Sequence, residues 1–96
     1  MKSENEISYQ IRGAAFKVYN RLGPGLLESV YEKAMAHELR KSGNRVECQI
    51  GIPMDYDEIH FDVGFRLDLL VEGLVIIEIK SVESLQDVHH KQLLTY

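Results

Sequence analysis

A chain of 96 residues with 45% apolar and 27% charged side chains is sized for one globular domain with a modest core. No stretch approaches the ~20 apolar residues that span a bilayer, no signal peptide opens the chain, and a single cysteine cannot form an internal disulfide, so a cytoplasmic protein without a membrane partner is expected. The net charge of −4 argues against a simple nucleic-acid coating protein but not against a nuclease, because carboxylates gathered round a metal lie in a local field that the ion reverses.

Ile7, Ile11, Ala14, Ala15, Val18 and Leu22 recur at helical spacing, which predicts an amphipathic helix from about Asn5 to Arg21. Gly23-Pro24-Gly25 stops it. It is no phosphate-binding loop, since it follows a helix and lacks a Lys-Ser/Thr continuation. A second helix is expected from about Leu26 to Lys41, with Gly25 as its N-cap and Ser42-Gly43-Asn44 closing it. Val46, Cys48, Ile50 and Ile52 then alternate as a strand closed by Pro53, with Cys48 in the core. Met54 to Ile59 read as an acidic loop. Phe61 to Val71 alternate as a half-buried strand, and Leu74 to Val82 form a third, buried one. A final helix begins near Ser84 and runs on to Tyr96. Helices followed by an antiparallel meander make the fold class α/β (α+β), in one domain spanning 1–96.

Two charges in the third strand carry the chemistry. Glu78 and Lys80 stand two residues apart among Val75, Ile76, Ile77 and Ile79, so they share a face and need partners. A plain two-residue hairpin at Glu72-Gly73 would set Asp68 opposite Ile77, away from Glu78. One more residue in the connection pairs Val71 with Val75 and brings Asp68 opposite Glu78. It also aligns Leu67, Leu69 and Val71 with Val75, Ile77 and Ile79, so hydrophobic pattern and chemistry select one register. Asp68 and Glu78 are then hard oxygen ligands suited to Mg²⁺ or Mn²⁺, with Lys80 placed to orient a water or stabilise an anionic transition state. A cross-strand ion pair of Lys80 with one or both acids accounts for the same residues.

Gly64-x-x-x-Asp68, Glu78-x-Lys80 and Gln92-x-x-x-Tyr96 resemble the motif series of RecB-type nucleases in the PD-(D/E)XK superfamily. Gly25-Leu26-Leu27-Glu28-Ser29-Val30-Tyr31 resembles the signature of its GxxExxY branch, and the blocks fall in the family's order over nearly all the chain. The resemblance implies a restriction-endonuclease-like core and a Mg²⁺- or Mn²⁺-dependent nuclease acting on nucleic acid, with DNA favoured. It implies Asp68, Glu78, Lys80 and Glu28 as catalytic residues and the carbonyl of Ile79 as a further metal ligand beside Asp68, Glu78 and Glu28. It implies Gln92 and Tyr96 as substrate-binding residues. Glu28, as third residue of its helix, is also placed to cap backbone donors, with the site role preferred, and Tyr31 reads as packing or function alike. His89 and His90 read as helix surface, and Asp55, Asp57, Glu58 and Asp62 as solvated charges. The family pattern continues into a final strand beside the meander, which this chain is expected to lack. An open sheet edge and a cut-off last helix then lead to two expectations: a homodimer, and a catalytically inactive binding or assembly module as the rival function.

Overall fold

The computed structural model describes residues 2–80 and 93–95. Two helices, α1 (Glu4–Leu22) and α2 (Glu28–Lys41), precede three strands, β1 (Val46–Tyr56), β2 (Ile59–Val71) and β3 (Val75–Ile79). A short fourth strand, β4 (Leu93–Thr95), completes an antiparallel sheet in the order β1-β2-β3-β4. This mixed α+β arrangement is the expected fold class. No helix among the described residues is long and apolar enough to cross a membrane.

α1 starts where Ser3 caps it, its hydroxyl accepting the Glu6 N–H at 3.2 Å. It ends at Gly23, whose φ of +71° few residues other than glycine tolerate. α2 begins two residues later than expected. Leu27, not Gly25, is its N-cap and offers no side-chain bond, so Glu28 is the first helical residue rather than the third. Tyr31 determines this geometry. It is 2% exposed, its O–H donates to the Gly23 carbonyl at 2.6 Å, and it accepts the Leu26 N–H at 3.1 Å. The tyrosine thereby clamps the loop from one turn inside the helix.

The opposite end of the helix pair is tied as well. The Lys2 ammonium donates to Gln10 Oε1, the Ser42 carbonyl and Asn44 Oδ1. Buried Asn44 in turn donates to Gln10 Oε1 and to the Leu39 carbonyl. A cation is thus held beside the carbonyl end of α2, where the helix dipole favours it.

Ile7, Ile11 and Val18 of α1 and Tyr31, Met35, Ala36 and Leu39 of α2 pack on Val46, Leu69, Val71, Val75, Ile77 and Ile79 in one core. The helices therefore cover the base of the sheet. β1 and β2 run on past that cover as a long hairpin arm, on which Tyr56, Ile59, Phe61, Val63 and Phe65 stand about half exposed or more.

Several strand expectations change. Pro53 does not close β1. It lies within an outer strand, where a missing N–H costs no ladder bond, and a register shift between Ile52 and Met54 accommodates it. The acidic loop shrinks to a turn at Asp57-Glu58, as Tyr56 pairs with Ile59. Cys48 is exposed, not core, because past Val46 the α2 side chains that reach β1, Arg40 and Glu32, are polar and do not bury it. Its Sγ lies 3.9 Å from Arg40 Nη2. Most of the expected final helix falls on residues outside the described ones. Leu93–Thr95, where that helix was expected to continue, instead pair with Ile79, Glu78 and Ile77 of β3. A strand thus stands beside β3 where the sequence reading had none: a short apolar run fits helix or strand equally, and the free ladder groups of β3 decide for strand.

Candidate active site

The β2–β3 connection has the three residues that the pattern demands. Glu72 and Gly73 take φ of 53° and 66°, the Leu74 N–H donates to the Val71 carbonyl at 3.0 Å, and pairing resumes at Val71 with Val75. Glu72 is fixed further by its N–H to the Arg45 carbonyl at 2.8 Å, while its carboxylate accepts the Arg45 N–H. From this turn the ladder runs through Leu70 with Ile76 and Leu69 with Ile77.

Beyond Leu69 and Ile77 a side chain takes over from the ladder. Asp68, half-buried, accepts the Ile79 N–H on Oδ2 at 2.8 Å. One carboxylate oxygen is thereby anchored to the backbone of the Glu78-x-Lys80 segment, and the other keeps its acceptor capacity. Ile77 and Ile79 are buried under the helices, so strand alternation sends Glu78 and Lys80 to the other face. The Lys80 Nζ lies 3.8 Å from Glu78 Oε2, and both side chains are partly exposed. This is a loose ion pair, close enough to hold the two heads together and long enough to leave both accessible.

Glu28 is placed differently. It opens α2, in the layer that packs on the Leu69, Ile77 and Ile79 side of the sheet, and it is exposed. Among the described residues no three His, Cys, Asp or Glu side chains form a group able to hold a metal, so Glu28, Asp68 and Glu78 do not stand together as a preformed trio. What the described site offers a hard cation is two carboxylates, Asp68 and Glu78, on neighbouring strands, with the Ile79 carbonyl next in sequence after Glu78. Those all-oxygen donors suit such an ion in kind. Gln92, Tyr96, His89 and His90 lie outside the described residues.

Two neighbours went unnoticed in the sequence. Gln49 has a φ of 53° in mid-strand, and its amide donates to Glu32 Oε1 one helical turn after Glu28. No sequence signal marks that kink. The glycine of Gly64-x-x-x-Asp68 has a packing reason, since a Cβ there would come within 2.7 Å of three Met54 side-chain atoms. At the arm's tip, His60 lies 2.6 Å from Asp55 and 3.3 Å from Asp62, so the acidic charges there are solvated but not isolated.

The profile of the PD-(D/E)XK nuclease superfamily matches residues 5–96. No curated protein and no solved structure matches the chain. Members of this superfamily generally use divalent metal ions and act on nucleic acid. With the match running through both helices, the meander and the Asp68 to Lys80 segment, the chain belongs to the PD-(D/E)XK nuclease superfamily.

Proposed function

We propose that this protein is a Mg²⁺- or Mn²⁺-dependent nuclease, of the GxxExxY branch, that hydrolyses phosphodiester bonds in nucleic acid, with DNA as the favoured substrate and the cytoplasm as its place of action. The observation that carries the reading is the Asp68 carboxylate fixed on the Ile79 N–H at the head of the Glu78–Lys80 pair. Asp68, Glu78 and the Ile79 carbonyl would hold the ion, which when bound supplies Lewis-acid polarisation of the scissile phosphate. Asp68 contributes from a fixed position, because the backbone bond leaves it little freedom to turn away. Lys80, on the exposed face, orients the attacking water and offsets the charge that builds on the phosphate oxygens. Its attachment to Glu78 is loose enough to exchange for a substrate oxygen. The role of Glu28 as a further ligand rests on the motif resemblance alone, since it lies on the helix side of the sheet. The roles of Gln92 and Tyr96 in placing substrate rest on the motif resemblance alone.

A second reading, a nuclease-fold binding module without catalysis, is supported by the same Lys80–Glu78 pair and by the missing carboxylate trio among the described residues. A nuclease assay on single-stranded DNA, duplex DNA and RNA, with Mg²⁺ or Mn²⁺ and Glu78→Gln as control, separates them. Metal-dependent cleavage lost in the variant is the expected result. Cleavage by neither protein, with no binding of Mn²⁺ in calorimetry, would favour the module.

A further inference from the structure

Away from the catalytic face, α1 presents a second feature to solvent. Ile7, Ile11 and Val18 point into the core, and the opposite side of the helix carries Glu6, Tyr9, Gly13, Phe16 and Asn20 at spacings of three and four. Tyr9 is 73% exposed and Phe16 69%, whereas soluble surfaces usually shelter large aromatics. Between them, with Glu38 and Ser42 of α2 as the far wall, lies a groove of about 490 Å³. Gly13 forms its floor. A glycine in mid-helix is destabilising relative to alanine, and a Cβ at Gly13 would meet nothing within 4 Å among the described residues, so packing against them gives no reason for it. A glycine between two exposed aromatics lets another backbone approach closely.

We infer that α1 is the interface of a homodimer, crossing antiparallel to a second copy of itself at Gly13. The charges favour that partner and that direction. α1 is acidic in its first turn, at Glu4 and Glu6, and basic in its last, at Arg21. An antiparallel copy lays each acidic end against a basic one and opposes the two helix dipoles. About a two-fold axis at Gly13, Tyr9 meets the Phe16 edge of the other copy in an aromatic contact. Each groove thus takes the other helix's aromatic side chain. Association by a sheet edge is less favoured, because the edge strands are β4, only three residues long, and β1, which carries Pro53. The Glu78–Lys80 face, across the sheet from the helices, takes no part in this contact.

Sedimentation of the full chain tests this directly. A single helix crossing lies at the small end of specific interfaces, below about 1,200 Å², so a dimer dissociating in the micromolar range is expected. Gly13→Leu and Phe16→Glu should each give monomers. Gly13→Leu should at the same time raise the melting temperature of dilute protein, since leucine is the better helix former. In a Cys48→Ser background, a mixture of Glu6→Cys and Asn20→Cys chains should form crosslinks that neither forms alone, whereas a parallel pair would crosslink each by itself. A wild type monomeric at about 100 μM, a dimer unaffected by Gly13→Leu, or self-crosslinking at position 6 would each overturn the inference. So would a monomer whose Phe16→Glu variant loses single-stranded DNA binding, which would assign the groove to nucleic acid.

Discussion

The Asp68 carboxylate replaces a backbone acceptor for Ile79, taking its N–H at 2.8 Å where the β2–β3 ladder gives out. A side chain that would otherwise rotate freely is thereby built into the sheet. The bond makes structure and chemistry separable by mutation. Asp68→Asn keeps an oxygen for the Ile79 N–H and should leave the melting temperature nearly unchanged while removing cleavage. Asp68→Ala strands that donor and should cost about 1–3 kcal/mol in urea unfolding. Equal destabilisation by both substitutions would deny the anchor.

Glu78→Gln tests the linkage between metal and fold. An ion that binds only the folded chain stabilises it by about 2.7 kcal/mol at a hundredfold excess over its dissociation constant. Thermal melts with and without Mn²⁺ should show that gain in the wild type and little of it in the variant, whose metal-free stability should be equal or higher. Lys80→Met should keep the gain and lose the cleavage. A wild type indifferent to Mn²⁺ would count for the binding module.

Tyr31→Phe removes one hydroxyl that serves both Gly23 and Leu26. With the ring still filling its place, the loss should be about 1–3 kcal/mol, the cost of stranded polar partners. Because Glu28 starts its helix directly beyond this loop, proteolysis between Gly23 and Leu27 should quicken in the variant. An unchanged digestion rate would mean that ring packing alone holds the loop.

Glu38 links the helices, with Lys17 Nζ 3.1 Å from its carboxylate. That hydrogen bond, opposed by partial desolvation and helped by the charges of Lys17, Lys41 and His37, holds its pKa below the ordinary 4.5. A depressed carboxylate stabilises the fold above its unfolded pKa, and the contribution disappears as pH falls through the lowered value. Wild type and Glu38→Gln should therefore differ in melting temperature near neutral pH and converge in acid. The difference should also shrink with salt, as it does for solvent-exposed pairs.

Much of the sheet was legible because two constraints met in β2 and β3. The alternation of Leu67, Leu69 and Val71 and the unbroken run from Val75 to Ile79 allow only one register that keeps apolar faces together, and the three-residue turn supplies it. The length of the arm was not legible. Pro53 reads as a stop unless the strand is known to lie at an edge, and sheet order is not local information. The exposure of Cys48 depends on which α2 side chains reach the strand, which its own alternation does not encode. Within the site, the Asp68, Glu78 and Lys80 positions followed from charges in apolar strands, whereas the Asp68 bond to Ile79 depends on where the ladder ends. Glu28 stands two helix positions earlier than the sequence pattern places it, because Gly25 is a commoner N-cap than Leu27 and the clamp by Tyr31 acts from inside the helix.

The helix pair is fastened at both ends, by Tyr31 at the loop and by Lys2 with Asn44 at the open side, and every group involved precedes Arg45. During synthesis this unit is complete before any strand leaves the ribosome, and its loop fastening, Tyr31 on Gly23 and Leu26, is short-range. β1, by contrast, must wait for β2 to supply Val71 as the partner of Val46. Local pairs form faster than distant ones. The helices should therefore gain amide protection first in pulsed hydrogen exchange, as a preassembled platform onto which the strands of the candidate site dock. Simultaneous protection of helices and sheet would show instead that the fastenings close only once the core beneath them has formed.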